Sequence, residues 1–170
     1  MAGIFILVSG NGRGGQPHAH NATERAIMRL TTFTDYSLRV LIYLGTHKER
    51  RAAVGDIALA YNISRNHLMK VILFLVAEGY VVTTRGKGGG VELSAEPDQI
   101  RIGALVRKSE EDSPLVECFS QESACCIEPV CLLRTAFEEA VQAFYSVLDS
   151  YTLADLIKNR ASLDRLLRLA

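Results

Sequence analysis

The apolar positions of this chain change their period several times, and each change marks an element. After residue 34 they recur at helical spacing, with Tyr36, Val40, Tyr43 and Leu44 on one face and Leu38, Leu41 and Ile42 widening it. Thr34 is the expected N-cap of this helix. Asp35 then falls in the first turn, where the helix dipole favours a carboxylate. Residues 54–61 predict a short second helix in which Ala58 and Ala60 are small enough for a close crossing. Asn62 suits a left-handed turn, and Ser64 caps a third helix with Leu68, Val71, Ile72 and Leu75 along its core face. Gly79 ends that helix. Residues 80–84 and 91–93 read as strands around the glycine-rich turn 85–90. A short helix is predicted over 100–108. From Leu132 to about Leu156, Phe137, Val141, Phe144, Leu148 and Tyr151 define a long amphipathic helix, and residues 153–169 form a weaker amphipathic tail.

Two helices joined by a tight turn and followed by a hairpin predict a fold that is mainly α with a small β-hairpin wing: a winged helix-turn-helix plus a long dimerisation helix. The leading end of the third helix would face base edges, with Ser64, Arg65, Asn66, His67 and Lys70 as the reading residues. Arginine suits guanine and asparagine suits adenine. Arg85 and Lys87 at the wing tip would contact phosphate, adding salt-sensitive affinity. The turn lacks the lysine and hydroxyl ending of a phosphate-cradling P-loop and does not open a helix. The helix from Leu132 carries more apolar surface than a small winged domain can cover. Its expected partner is its own copy in a second subunit, which would offer two recognition helices to an inverted-repeat, double-stranded operator.

Four segments result: a flexible N-terminal extension over 1–27, a winged helix-turn-helix over 28–95, a short helix and cysteine loop over 96–131, and a dimerisation helix with tail over 132–170. The extension is glycine-rich, makes a poor signal peptide, and carries His18 and His20 without a metal-binding pattern. Met28 opens better-patterned sequence, so an upstream start codon or a cloning choice would account for what precedes it.

Composition bounds this picture. With 48% hydrophobic and 22% charged residues in 170, the chain can bury a core, and no run reaches the roughly 18 apolar residues of a membrane span. A cytoplasmic protein is expected. The formal net charge is zero, but its distribution is uneven: residues 28–95 hold nine Lys and Arg against five Asp and Glu, and residues 96–170 hold eight against thirteen. A polyanion-facing part beside an acidic one fits that asymmetry.

All four cysteines lie within residues 117–131. Six residues separate Cys118 from Cys125 and five separate Cys125 from Cys131, a wide spacing that describes a loop around a metal centre rather than paired zinc knuckles. Soft thiolates suit zinc, copper(I) or an iron–sulfur cluster. Disulfides are not expected in a reducing compartment, and the neighbouring Glu117, Glu122 and Glu128 oppose simple burial. Cys125 and Cys126 are adjacent, so one of them is a spare.

The sequence over 28–36 (MRLTTFTDY), over 64–70 (SRNHLMK) and over 85–90 (RGKGGG), together with the cysteine loop, resembles a winged-helix family of iron–sulfur regulators. That family contains nitric-oxide-sensing repressors of the NsrR type and the cluster-assembly regulator IscR. The resemblance runs from Met28 to about Ile157. It implies a homodimer with one 4Fe-4S cluster per subunit (2Fe-2S in the alternative), held by Cys118, Cys125 and Cys131 and by Asp35 of the partner subunit. Family spacing before the last cysteine selects Cys125 over Cys126, although the first gap here is longer than in the family. IscR-type proteins place a histidine three residues after the last cysteine, where this chain has Arg134. The resemblance therefore implies a repressor of nitric-oxide stress genes, with nitric oxide as its signal and operator affinity under cluster control. The alternatives are an IscR-like regulator of cluster assembly, a DNA-binding zinc or thiol switch, and a cluster carrier that does not bind DNA. No nucleophile has a paired base and no carboxylate pair is set for acid–base chemistry, so an enzyme is not expected.

Overall fold

The fold described here is that of a computed structural model, in which residues 29–86, 88–120 and 123–169 are described. Helix α1 (Thr32–Thr46) begins one turn earlier than its apolar run predicts. Its N-cap is Thr31 rather than Thr34: the Thr31 hydroxyl accepts from the Thr34 amide at 3.2 Å. Thr34 is fully buried instead; its hydroxyl donates to the Glu110 carboxylate and lies 2.8 Å from the Ser109 hydroxyl. A capping residue and a buried threonine three positions apart look alike in sequence, and tertiary packing separates them.

Helix α2 (Val54–Tyr61) ends at Asn62, which takes the left-handed conformation at φ 51°. Ser64 then caps α3 (Arg65–Ala77), accepting from the His67 amide at 3.3 Å. Gly79, at φ 75°, turns the chain into β1 (Val81–Thr84), which pairs antiparallel with β2 (Gly90–Leu93) in the register Val81 to Leu93. Ala52 adds a single bridge to Val91 through two 2.9 Å hydrogen bonds, so the wing is anchored ahead of α2. Val40, Leu41, Ile57, Leu68, Val71, Leu75, Val81 and Val91 fill one continuous core with almost no exposure.

Helix α4 (Ile102–Ser109) seals this core with Leu105 and Val106 and leads into the cysteine segment. Helix α5 (Leu132–Asp149) is shorter than its pattern predicts. Ser150 closes it. Thr152 and Asp155 then form a reciprocal capping box that starts α6 (Leu153–Leu156), and Leu153 is fully buried. The two ends of this break are stitched to the start of α4: Ile102 N donates to Tyr151 O at 3.0 Å and Leu153 N to Ile100 O at 2.9 Å.

The C-terminal tail is not a loose appendage. Helix α7 (Arg160–Leu169) returns to α1 and α2. Arg160 Nε donates to Thr46 O at 2.6 Å, and buried His47 places Nε2 3.0 Å from Asp164. Among the described residues no helix is long and apolar enough to cross a membrane.

Candidate nucleic-acid interface and cysteine loop

The face of α3 opposite the core is open to solvent. Arg65, Asn66, His67 and Lys70 are all exposed, as is Ser64 at the cap. The α3 core face holds them in place: Leu68 and Leu75 are fully buried between α1 and the wing, so the helix cannot roll. The Arg65 guanidinium rests over α2 at Gly55, where a Cβ would lie 3.1 Å from it. His67 lies 6.3 Å from the Tyr36 ring, which ties the reading end of α3 to α1. Arg85 is exposed at the wing tip, and Lys87 lies outside the described residues. Met69 and Leu73 are exposed on this same face. Sequence reasoning gave them no role; the available signal was their spacing of three and four residues from Asn66, Lys70 and each other.

Asp35 stands in the first turn of α1, half-exposed, with its carboxylate 2.9 Å from Arg39. Arg39 in turn lies over the Tyr61 ring at 5.7 Å from its centre. Burial is the main cause that pushes the Tyr61 hydroxyl up to about 12. Asp35, Tyr36, Arg39 and Tyr61 line a concavity of about 580 Å3 whose wall includes no cysteine. The chain therefore does not bring Asp35 into the same recess as its own cysteine loop.

That loop is irregular. Cys118 lies in a 3-10 turn (Glu117–Phe119), the Cys125 amide donates to the Ser123 hydroxyl at 3.4 Å, and Cys131 is the N-cap of α5. Cys118, Cys125 and Cys131 are half-buried, Cys126 is exposed, and all four are free thiols. Glu117 accepts from the Ala124 amide at 3.2 Å and so draws the two sides of the loop together. Arg134, on the first turn of α5, pairs with Glu128 in the loop and with Glu138 one turn further on. Among the described residues, no three His, Cys, Asp or Glu side chains converge into a group that could hold a metal ion. The donor chemistry nevertheless suits a cluster: three partly shielded soft thiols on one segment, with Cys131 beside the amides of a helix N-terminus that favour negative charge.

Glu110 is a link that sequence reasoning missed. At the C-cap of α4, its carboxylate accepts from the Thr31 amide at 2.8 Å, from the Thr31 hydroxyl at 2.9 Å and from Thr34. The start of α1, which carries Asp35, is thus tied to the segment that leads into the cysteine loop. No local pattern announces a contact between residues 79 positions apart in the chain.

Known proteins place this arrangement. A family model described as "Rrf2: Iron-dependent Transcriptional regulator" matches residues 30–159. The HTH-type transcriptional regulator NsrR of Bacillus subtilis (strain 168) is 49% identical over 144 residues, covering 84% of this chain and 99% of that protein. The NsrR of Geobacillus kaustophilus (strain HTA426) is 49% identical over 143 residues, covering 83% and 97%. Among solved structures, T. potens IscR superposes with a TM-score of 0.64 at 26% identity, covering 78% of this chain and 88% of that chain. CymR, the global cysteine regulator of B. subtilis, gives 0.59 at 30% identity, covering 78% and 98%. With a winged helix whose outer α3 face is exposed and a relationship that spans most of its length, the chain belongs to the Rrf2 family of iron-dependent transcriptional regulators.

Proposed function

We propose that this regulator is a homodimeric, cytoplasmic repressor that binds an inverted-repeat operator, with its affinity set by a 4Fe-4S cluster sensitive to nitric oxide. The observation that carries the reading is the placement of three half-buried free thiols directly between α4, which closes the winged-helix core, and α5, whose apolar face α4 covers only in part, so that none of its residues is buried. The NsrR relatives supply the nitric-oxide reading, and the described residues suit it.

Cys118, Cys125 and Cys131 would hold the cluster, and Asp35 of the partner subunit would complete the set. Exposed Cys126 remains outside it. When bound, the cluster supplies an iron site that reacts with nitric oxide. A carboxylate is a harder and weaker partner for such iron than a thiolate, so Asp35 is the ligand easiest to release. Arg39, 2.9 Å away, gives the released carboxylate a counter-ion within its own helix. Any shift of Asp35 moves the head of α1. That helix packs directly on α3, and Thr31 and Thr34 connect it to Glu110. Misplacing two recognition helices relative to two half-sites would cost a few kcal/mol, on the order of the gap between specific and non-specific binding.

Anaerobic titration with nitric oxide, followed by band shift on an inverted-repeat promoter fragment, tests this directly. Release of the DNA in step with bleaching of the visible absorbance is expected, and undiminished binding after cluster loss would falsify the proposal. Colourless, iron-free protein from oxygen-free purification would instead favour a zinc or thiol switch. Cys118→Ala, Cys125→Ala and Cys131→Ala should each abolish iron and sulfide retention, whereas Cys126→Ala should not.

A further inference from the structure

Helix α3 divides into two faces. Leu68, Val71, Ile72 and Leu75 are buried, and Asn66, Met69, Lys70 and Leu73 point the other way. Met69 and Leu73 are 45% and 64% exposed, and the helix contains no carboxylate along its length. An apolar side chain among cations and an amide gains nothing from phosphate. In the major groove, however, the one apolar feature of a base edge is the C5-methyl group of thymine.

Position along the helix decides which of the two apolar residues can use it. Met69 lies four residues beyond Arg65, about 6 Å along the axis, and within reach of the floor of a groove about 12 Å wide. Leu73 lies another turn back, at the groove edge. The unbranched thioether of Met69 has three rotatable bonds and adapts to a small apolar target. We propose that Met69 is a specificity-determining residue that reads thymine methyl groups between the bases addressed by Asn66 and Lys70. This inference rests on the DNA-binding reading above.

The test uses the full-length protein, purified without oxygen, and duplexes that it enriches from a randomised pool at fixed salt. Each thymine pair related by the operator symmetry is replaced by deoxyuridine, which keeps the hydrogen-bonding edge and removes only the methyl. Burial of one methyl group is worth roughly a four-fold change in affinity, so a symmetric replacement at the contacted position should weaken binding by roughly fifteen-fold. Met69→Ala and Met69→Gln, exposed substitutions to good helix formers, should bind the thymine and deoxyuridine duplexes equally. Indifference of the unmodified protein to every methyl would overturn the proposal. So would a penalty that persists in Met69→Ala, or one that disappears in Leu73→Ala instead. Failure to enrich any duplex would refute the DNA-binding reading itself, a result distinct from enriched duplexes that ignore the methyl.

Discussion

The winged helix and the segment from the cysteine loop through α5 are built on opposite principles. In the first, α1, α2, α3 and the wing enclose a core in which Leu41, Ile57, Leu68 and Leu75 are wholly withdrawn from water. In the second, none of the eighteen residues of α5 is buried, and Val130, Leu132 and Leu133 are 81%, 85% and 61% exposed. One region is finished by its own chain. The other displays contiguous apolar surface of a kind that marks an interface. A regulator divided in this way keeps a self-contained winged helix beside a region that its own chain leaves open.

The sharpest test of that contrast sets a core leucine against a surface one. Leu68→Ala should cost about 3 kcal/mol of unfolding free energy, because it removes a fully buried side chain and leaves a cavity. Leu133→Ala should change the stability of dilute protein by less than about 0.5 kcal/mol. It should instead weaken self-association, which sedimentation at graded concentrations measures. Equal destabilisation by both changes in dilute denaturation experiments would erase the distinction.

The two regions meet where α4 crosses α5, and that crossing depends on a missing side chain. A Cβ on Gly103 would fall 2.0 Å from Asp149 Oδ1 and 2.9 Å from the Asp149 amide. Asp149 is held there by a two-pronged pair with Arg107, at 2.7 and 2.6 Å, and Arg107 lies over the Tyr145 ring at 4.5 Å. Gly103→Ala should therefore push the helices apart at a cost of about 2 kcal/mol. The loss should appear in thermal unfolding and should exceed that of Asp149→Ala, which removes only a solvent-exposed pair.

What could be read in advance follows the same division. The winged helix was legible because its elements announce themselves locally: Ser64 before α3, Asn62 in the turn, Gly79 after the helix, alternating strands around the glycines. The exposure of Arg65, Asn66, His67 and Lys70 follows from their residue types. Legibility failed where distant contacts decide. The same apolar period runs past Asp149 and predicts a helix that continues to about Leu156. The Thr152 to Asp155 capping box, a recognisable motif, stops it. Nothing local in the tail points to its partners, because Thr46 and His47 lie more than a hundred residues earlier. Thr34 reads as a cap because no local pattern reveals the carboxylate of Glu110. The proposed ligands divide similarly: cysteine spacing singled out the loop, while only family likeness singled out Asp35.

Thr31 joins the regions and offers a smaller test. Thr31→Ala removes the α1 cap and one donor to Glu110, which should cost about 1 kcal/mol in chemical denaturation. Ser64→Ala removes a cap of the same kind that has no such link. If Glu110 matters only as a surface carboxylate, the two losses should be equal. A larger loss at Thr31, diminished in a Glu110→Gln background, would show that the tie to α4 contributes beyond the cap.

The weakest effect expected is confined to alkaline solution. Burial raises the Tyr61 hydroxyl to about 12, and burial followed by the nearby Glu110 charge raises that of Tyr145, on α5. An acid whose folded pKa is raised keeps its proton after the unfolded chain has lost it. Its contribution is complete below pH 10, where both states are protonated, and is lost as pH climbs from 10 towards 12. Tyr61→Phe should therefore leave the melting temperature at pH 8 nearly unchanged and flatten its decline above pH 10. Tyr145→Phe should flatten it less, since α5 encloses its side chains so poorly. Melting curves collected between pH 8 and 11.5 would decide the matter, and a larger flattening from the α5 tyrosine would mean that α5 is the better enclosed of the two.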